Sequence, residues 1–394
     1  MTNQPPTPFQ IRPATPADAA AVRRLFEEHL ASLGYAPDAK LDADMADFTA
    51  SYAGDANAFL LAVDSDQRLV GMGGIRRGEL RRIHVRPDFC GCGVARTLVR
   101  QLLQTGIAGG QQDFRTIISG HNADLRQVFQ ACGFLPTGLA PEHPKVRANE
   151  ILRMTRPQNC SRPVVVITGG SRGLGRKLVE HCAPRCNVVF GWWKSEAEAL
   201  ELAREQAALG HWVLPLRCDA RDWQRMEFFA DLAHAVAGPC QTLIHTTGTF
   251  SLKSLDELDP ATWQEELDST VTAGFHAWRA FAGQLKSHPR SRVVFIGDSA
   301  AEQLRARRHS TAYYIGKHGL VLLARTIAHD QQQSGLTCNV VSPGVLPNSI
   351  DLDQPGMKAN VGFEEIAGVI DFLLSPAADA VSGSHLIASR GWNV

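Results

Sequence analysis

Residues 164–167, Val-Val-Val-Ile, run straight into Thr168-Gly169-Gly170-Ser171-Arg172-Gly173-Leu174-Gly175 and then into a helical stretch at 176–181. This strand, glycine turn and helix constrain the fold more than any other feature of the chain. The glycines allow a tight turn and let backbone approach a ligand's pyrophosphate at the positive end of the next helix. Such a unit needs neighbouring parallel strands, and the sequence supplies them. Residues 188–190, 213–216, 243–245, 293–297, 338–342 and 386–388 are short apolar runs separated by helical stretches. Apolar strands alternating with helices indicate a parallel sheet covered on both faces. Residues 163–394 are therefore predicted to form a doubly wound α/β domain.

The chain has 394 residues, enough for two cores. Residues 9–139 alternate differently. Ile11 lies in an opening strand, and Thr15-Pro16-Ala17-Asp18 reads as a capped helix start. Strands are predicted at 58–63, 69–75, 79–85, 115–118 and 151–154. Residues 93–103 form an amphipathic helix with Val94, Leu98, Leu102 and Leu103 on one side. A second helix, 123–132, is closed by Gly133. Pro141, Pro144, Pro157 and Pro163 punctuate a polar stretch beyond residue 140. The reading is a first domain over 1–156, a linker at 157–162 and the second domain from 163.

In the second domain, Tyr313 and Lys317 stand four residues apart, on one face of a helix. An ammonium beside a phenol favours its ionised form, which suits a Tyr that protonates a nascent alkoxide or amide. With the glycine turn about 145 residues upstream, this pair resembles the short-chain dehydrogenase/reductase family. The resemblance covers residues 163–394 and implies a Rossmann-type fold. It also implies a catalytic Tyr313 and Lys317, with Ser299 or Asp298 beside them. Ser299 is 14 residues before Tyr313 and Asp298 is 15, both slightly more than the family's usual spacing. The phrase Ile296-Gly297-Asp298-Ser299 resembles the pteridine-reductase branch, where an Asp takes the Ser place. The cofactor contacts implied are Thr168, Gly169, Ser171, Arg172, Gly173, Leu174, Gly175, Asp219, Thr246, Thr247, Gly248, Pro343 and Gly344. The chain departs from the family at His245-Thr246-Thr247-Gly248, in place of Asn-Asn-Ala-Gly, and at Thr270, in place of a helix Asn.

Cofactor choice rests on charge. The second strand ends in Gly191-Trp192-Trp193-Lys194-Ser195, with no acidic residue before Glu196 to meet a ribose 2′-hydroxyl. Arg172, Lys194 and Ser195 suit a 2′-phosphate instead, so NADP(H) is expected.

In the first domain the strand at 79–85 leads into Arg86-Pro87-Asp88-Phe89-Cys90-Gly91-Cys92-Gly93-Val94-Ala95 and a helix, a second phosphate-binding arrangement. Asn122 precedes Phe129 by seven residues, and Gly133-Phe134 come after them. These stretches resemble the GNAT acetyltransferase family over residues 9–155. The resemblance implies an α+β fold on a mixed sheet and acetyl-CoA or another acyl-CoA as co-substrate. Val85, Gly91, Gly93, Val94, Ala95 and Asn122 would contact the CoA. Cys90 replaces the family's Arg or Gln, and Phe129 stands where a Tyr often protonates the leaving thiolate. Glu79 is the expected base, with His84 and His121 behind it.

Charges balance at 40 against 40, which points away from nucleic-acid and membrane-surface partners and toward small-molecule substrates. Nine scattered cysteines without zinc-site spacing read as free thiols, and no metal site is expected. The N-terminal residues show no signal-peptide pattern, so a soluble cytoplasmic protein is expected. The reductase resemblance implies a homo-oligomer. Together these features give a bifunctional enzyme that reduces C=O or C=N and acylates an amine. Three alternatives stay open: a reductase carrying a degenerate GNAT-like module, an acyltransferase on a degenerate reductase scaffold, and a non-catalytic regulator sensing CoA and NADP, against which Tyr313 and Lys317 together speak.

Overall fold

A computed structural model describes residues 9–32, 34–119, 122–139, 149–301, 303–349 and 358–392. The chain divides into two compact units, Met1–Arg156 and Pro157–Val394.

The first unit holds a seven-stranded mixed sheet. Its strands are β1 (Phe9–Pro13), β2 (Ala58–Asp64), β3 (Leu69–Arg76), β4 (Glu79–Val85), β5 (Asp113–Ser119), β6 (Leu135–Leu139) and β7 (Asn149–Thr155). Their order is β1-β2-β3-β4-β5-β7-β6, antiparallel throughout except β4 beside β5. One face packs Val22, Leu25 and Phe26 of the helix Ala19–Ser32 against Phe59, Leu61 and Met72. The long helix Val94–Ala108 buries Val94, Leu98, Val99, Leu102 and Leu103, the stripe expected from its 3.6-residue period. Among the first unit's elements that escaped the sequence reading are a strand and two short helices. The strand β6 carries Pro136 and Gly138, poor strand formers that its pairing with β7 overrides. Ala43–Ala46 and Phe48–Ser51 are single helical turns, too short to show a period.

The second unit is a seven-stranded sheet, parallel throughout. Its strands are β8 (Val164–Thr168), β9 (Asn187–Trp192), β10 (Val213–Arg217), β11 (Thr242–His245), β12 (Arg292–Ile296), β13 (Thr337–Pro343) and β14 (His385–Ala388). The order is β10-β9-β8-β11-β12-β13-β14, so the winding reverses between β8 and β11. Helices cover both faces. Val165, Ile167, Val188 and Phe190 join one apolar cluster with Leu178, Leu202 and Ile370. Across the sheet, Phe229 and Phe281 meet edge to face at 5.7 Å, linking the helices Trp223–Ala237 and Ala273–Ser287. Burial on two faces explains the unbroken apolar runs. The helix after the glycine turn begins at Gly173, inside the turn itself, and Gly297 lies just past β12. Residues 157–162, read as a linker, make contacts within the second unit: Asn187 Nδ2 donates to the Asn159 carbonyl at 2.9 Å.

Phe190 is fully buried and forms the floor under Gly170, whose added Cβ would stand 2.6 Å from the Phe190 Cβ. F190A is expected to destabilise the second unit by about 3–5 kcal/mol, read as a lower denaturant midpoint at unchanged slope.

Candidate active sites

The carboxyl ends of β8, β9, β11, β12 and β13 surround a crevice of about 720 Å³. It lies where the strand order reverses, which is where open α/β sheets bind ligands. Every site residue expected in the second domain lines it: Thr168, Gly169, Ser171, Arg172, Gly173, Leu174, Gly175, Lys194, Ser195, Asp219, Thr246, Thr247, Gly248, Asp298, Ser299, Tyr313, Lys317, Pro343 and Gly344.

Gly169 and Gly173 take φ of +72° and +54°, the left-handed region that side chains rarely enter. A Cβ on Gly175 would stand 2.1 Å from the Gly169 carbonyl oxygen, so the turn closes only on glycine. No side chain caps the helix Gly173–Cys182, which leaves its first N–H groups facing the crevice for an anion. The cradle therefore fits a dinucleotide's pyrophosphate. Beside it, the Ser171 and Ser195 hydroxyls lie 2.5 Å apart. Trp193 also lines the crevice, with the Arg217 and Arg225 guanidiniums 4.7 and 4.8 Å from its ring centroid. Arg221 donates to both oxygens of Asp219, at 2.9 and 2.8 Å. Burial works against the Asp219 carboxylate, but these bonds outweigh it and hold its pKa below the usual value.

Tyr313 and Lys317 project from the helix Thr311–Asp330. The Tyr313 hydroxyl donates to Asp298 Oδ2 at 3.3 Å. Ser299, the other candidate for that place, is 1% exposed, and its hydroxyl finds no partner among the described residues. The geometry therefore puts Asp298, not Ser299, beside the phenol. Lys317 is 3% exposed, and Nζ donates to the Ile296 carbonyl at 2.8 Å. Burial brings its pKa from 10.5 down to about 8, with Asp298 partly opposing.

Where the family's Asn residues would stand, the chain has built other contacts. His245 is fully buried, with Nδ1 2.8 Å from Thr168 Oγ1 and Nε2 3.0 Å from Thr247 Oγ1. Burial, then Lys317, lower its pKa to about 3, so it stays neutral and links the two strand ends. The Thr270 hydroxyl donates to the Glu266 carbonyl at 2.6 Å. A Cβ on Gly316 would collide with that hydroxyl oxygen, so Thr270 and Gly316 fit only together.

In the first unit, β4 and β5 share the register pair Glu79 and Arg115 and then part. Val85 ends β4 beside Gly71. Gly91 and Gly93, at φ +83° and +85°, bring the chain to the helix at Val94, and no side chain caps that helix. Val94 is buried against Gly71, while Ala95 is half-buried. The loop can thus present backbone amides to a phosphate. Other expectations meet constraints. Asn122 Oδ1 caps the helix Ala123–Ala131 by accepting from Leu125 N at 3.1 Å, so a contact to CoA would use its nitrogen. Glu79 accepts two bonds from Arg115, at 3.0 and 2.7 Å, and pairs with Arg81 at 3.3 Å. Phe129 is fully buried against Phe134, so that position offers neither a hydroxyl nor access. His84 stacks on His29 at 3.9 Å, and burial, His29 and Arg82 push its pKa well down. His121 lies outside the described residues.

Residues 163–353 match the short chain dehydrogenase family, and residues 22–134 match the acetyltransferase (GNAT) family. The chain carries a domain of each. The dehydrogenase domain is similar to L-rhamnose 1-dehydrogenase (NAD(P)(+)) of Azotobacter vinelandii, 28% identical over 58% of this chain and 95% of that protein. It is also similar to the 3-oxoacyl-acyl-carrier-protein reductase FabG of Escherichia coli, at 24% identity over 59% of this chain and 98% of that protein. Among solved structures, a blue fluorescent protein from a metagenomic library in complex with NADPH is 25% identical. Its TM-score is 0.55, over 60% of this chain and all of that one. The chain thus joins a GNAT-type domain to a short chain dehydrogenase domain. No helix among the described residues is long and apolar enough to cross a membrane.

The sequence reading missed His245 as a buried link and Glu266 as a buried acid. His245 was visible only as a departure from the family pattern. Glu266 carried no signal beyond its place three residues after Trp263.

Because the Ser299 hydroxyl is buried without a partner, S299A should leave stability within about 0.5 kcal/mol of the parent. Thermal unfolding checks this, with D298A as the variant expected to disturb the Tyr313 hydroxyl.

Proposed function

We propose that the chain is a bifunctional biosynthetic enzyme. Its dehydrogenase domain reduces a C=O or C=N bond with NADPH, and its GNAT domain acylates an amine from acetyl-CoA or another acyl-CoA. The observation that carries the reductive half is the Tyr313 hydroxyl 3.3 Å from Asp298, with the buried Lys317 one helical turn on.

Residues 168–175 would hold the cofactor pyrophosphate, and Asp219 with Thr246, Thr247 and Gly248 would border its adenosine and ribose. Arg172, Lys194 and Ser195 favour a 2′-phosphate, because no carboxylate stands at the end of β9 to repel one. Bound there, the cofactor supplies hydride. Tyr313 Oη delivers the proton to the oxygen or nitrogen of the reduced bond, while Asp298 orients the hydroxyl. Lys317 donates hydrogen bonds toward the ribose and keeps positive charge beside the phenol. Pro343 and Gly344 close the nicotinamide end.

In the transferase half, the backbone of Val85, Gly91, Gly93, Val94 and Ala95 and the amide of Asn122 would hold the CoA arm. Glu79 would take the amine proton, and it must release Arg115 and Arg81 to do so. Reducing an imine yields an amine, the acceptor that N-acylation needs, which gives a chemical reason for joining the two domains. The buried Phe129 and the doubly paired Glu79 favour a second reading, in which only the reductase turns over. Exposed Phe275, Ile315 and Leu322 on the dehydrogenase domain's helices support a homo-oligomer.

Calorimetric titration with NADPH, NADH, acetyl-CoA and CoA tests both readings. Micromolar binding of NADPH and of acetyl-CoA supports two activities, whereas NADPH binding alone leaves the reductase. The double variant R172A/K194A should weaken NADPH by about 10- to 100-fold and spare NADH. Lys317 titrates near 8, so the charged form is present below that pH and lost above it. NADPH affinity should therefore fall as pH rises through about 8, and K317M should flatten this dependence.

A further inference from the structure

We propose that Glu266 is a positioning residue for Tyr313, capping from another helix the N-terminus that carries the Tyr313 and Lys317 pair. This rests on the reading of Tyr313 as proton donor.

The helix Thr311–Asp330 lacks an ordinary cap. Its preceding residue, Ser310, has φ +60° and makes no side-chain cap bond. The Ser310 hydroxyl donates instead to the Ser251 carbonyl. The missing acceptor comes from the helix Pro260–Leu267. Glu266 Oε2 accepts the Tyr313 backbone N–H at 3.1 Å. This is the third N–H of the helix, one that a capping Ser or Asp ordinarily takes. Oε1 accepts the Ser251 hydroxyl at 2.5 Å.

Glu266 is fully buried, and a buried carboxylate is a liability unless its oxygens are bonded and a positive charge is near. Both conditions hold: each oxygen has a donor, and the positive end of a 20-residue helix faces them. The same residue also receives the Thr270 hydroxyl on its backbone carbonyl, at 2.6 Å. Phe250, next to Ser251, packs edge-on against the Tyr313 ring with centroids 5.1 Å apart. Glu266 thus joins the loop under the phenol to the backbone that carries it. Removing the carboxylate frees the helix start to shift relative to Asp298. A misplacement of about 1 Å costs on the order of 100-fold in rate.

The test uses the full-length chain with NADPH and 2,3-butanedione as the carbonyl probe, and compares E266V, E266Q and Y313F. In E266Q the amide can accept from Tyr313 N–H and donate to the Ser251 oxygen, so it should stay within about tenfold of the parent. E266V should lose roughly 100-fold in kcat while its KM for NADPH moves less than about threefold. Hydrogen exchange at residues 311–314, which needs no substrate, should quicken in E266V and not in E266Q. A full kcat in E266V with Y313F inactive overturns the proposal. If Y313F turns over like the parent, it is the reading of Tyr313 that has failed. If the parent does not reduce the dione, exchange decides: unchanged protection in E266V overturns the proposal, and protection lost there but kept in E266Q supports it.

Discussion

The turn from Thr168 to Gly175 closes only because Gly175 has no side chain, since a Cβ there would meet the Gly169 carbonyl oxygen at 2.1 Å. That close approach aims the start of the helix Gly173–Cys182 at the crevice. The reversal of strand order between β8 and β11 opens the space in front of it, because the connections leave in opposite directions there. The remaining crevice residues are strand ends and a helix face arranged around that anion-ready turn.

Polar groups buried around the crevice obey one rule: each is neutral or bonded. His245 stays neutral between two threonine hydroxyls. Lys317 keeps a carbonyl partner, and Glu266 has a donor on each oxygen. The Thr270 hydroxyl fills the space that a Cβ on Gly316 would need. The departures from the family pattern are thus mutually compensating. Among the described residues of the crevice lining, the Ser299 hydroxyl and the Trp192 and Trp193 indole nitrogens are buried without a hydrogen-bond partner, and none of them stands at one of those departures.

The GNAT domain shows a different balance. Its loop glycines and uncapped helix are suited to phosphate, yet the side chains that would perform chemistry are engaged elsewhere. Arg82, at a β4 position with φ +59°, is held by Asp42 and Asp44, and Tyr52 donates to the same Asp44 at 2.6 Å. This buried network ties the short helical turns to β4.

Most of both folds was legible in the sequence. Buried parallel strands must be apolar throughout, and a glycine turn between strand and helix leaves a fixed spacing. The residues lining the crevice were legible for the same reason, since they lie just past strand ends. Strand β6 was not legible, because its Pro136 and Gly138 are outweighed by pairing with β7. Nor could spacing choose between Asp298 and Ser299, which are adjacent in the chain. Local backbone demands and helical period impose the two domains, the phosphate-ready turns and the Tyr313 and Lys317 pair, so these can be read along the chain. That Asp298 meets the phenol, that Arg115 occupies Glu79 and that Glu266 caps a distant helix follows from packing alone. Those contacts join residues 15, 36 and 47 positions apart, and only the folded packing sets such distances.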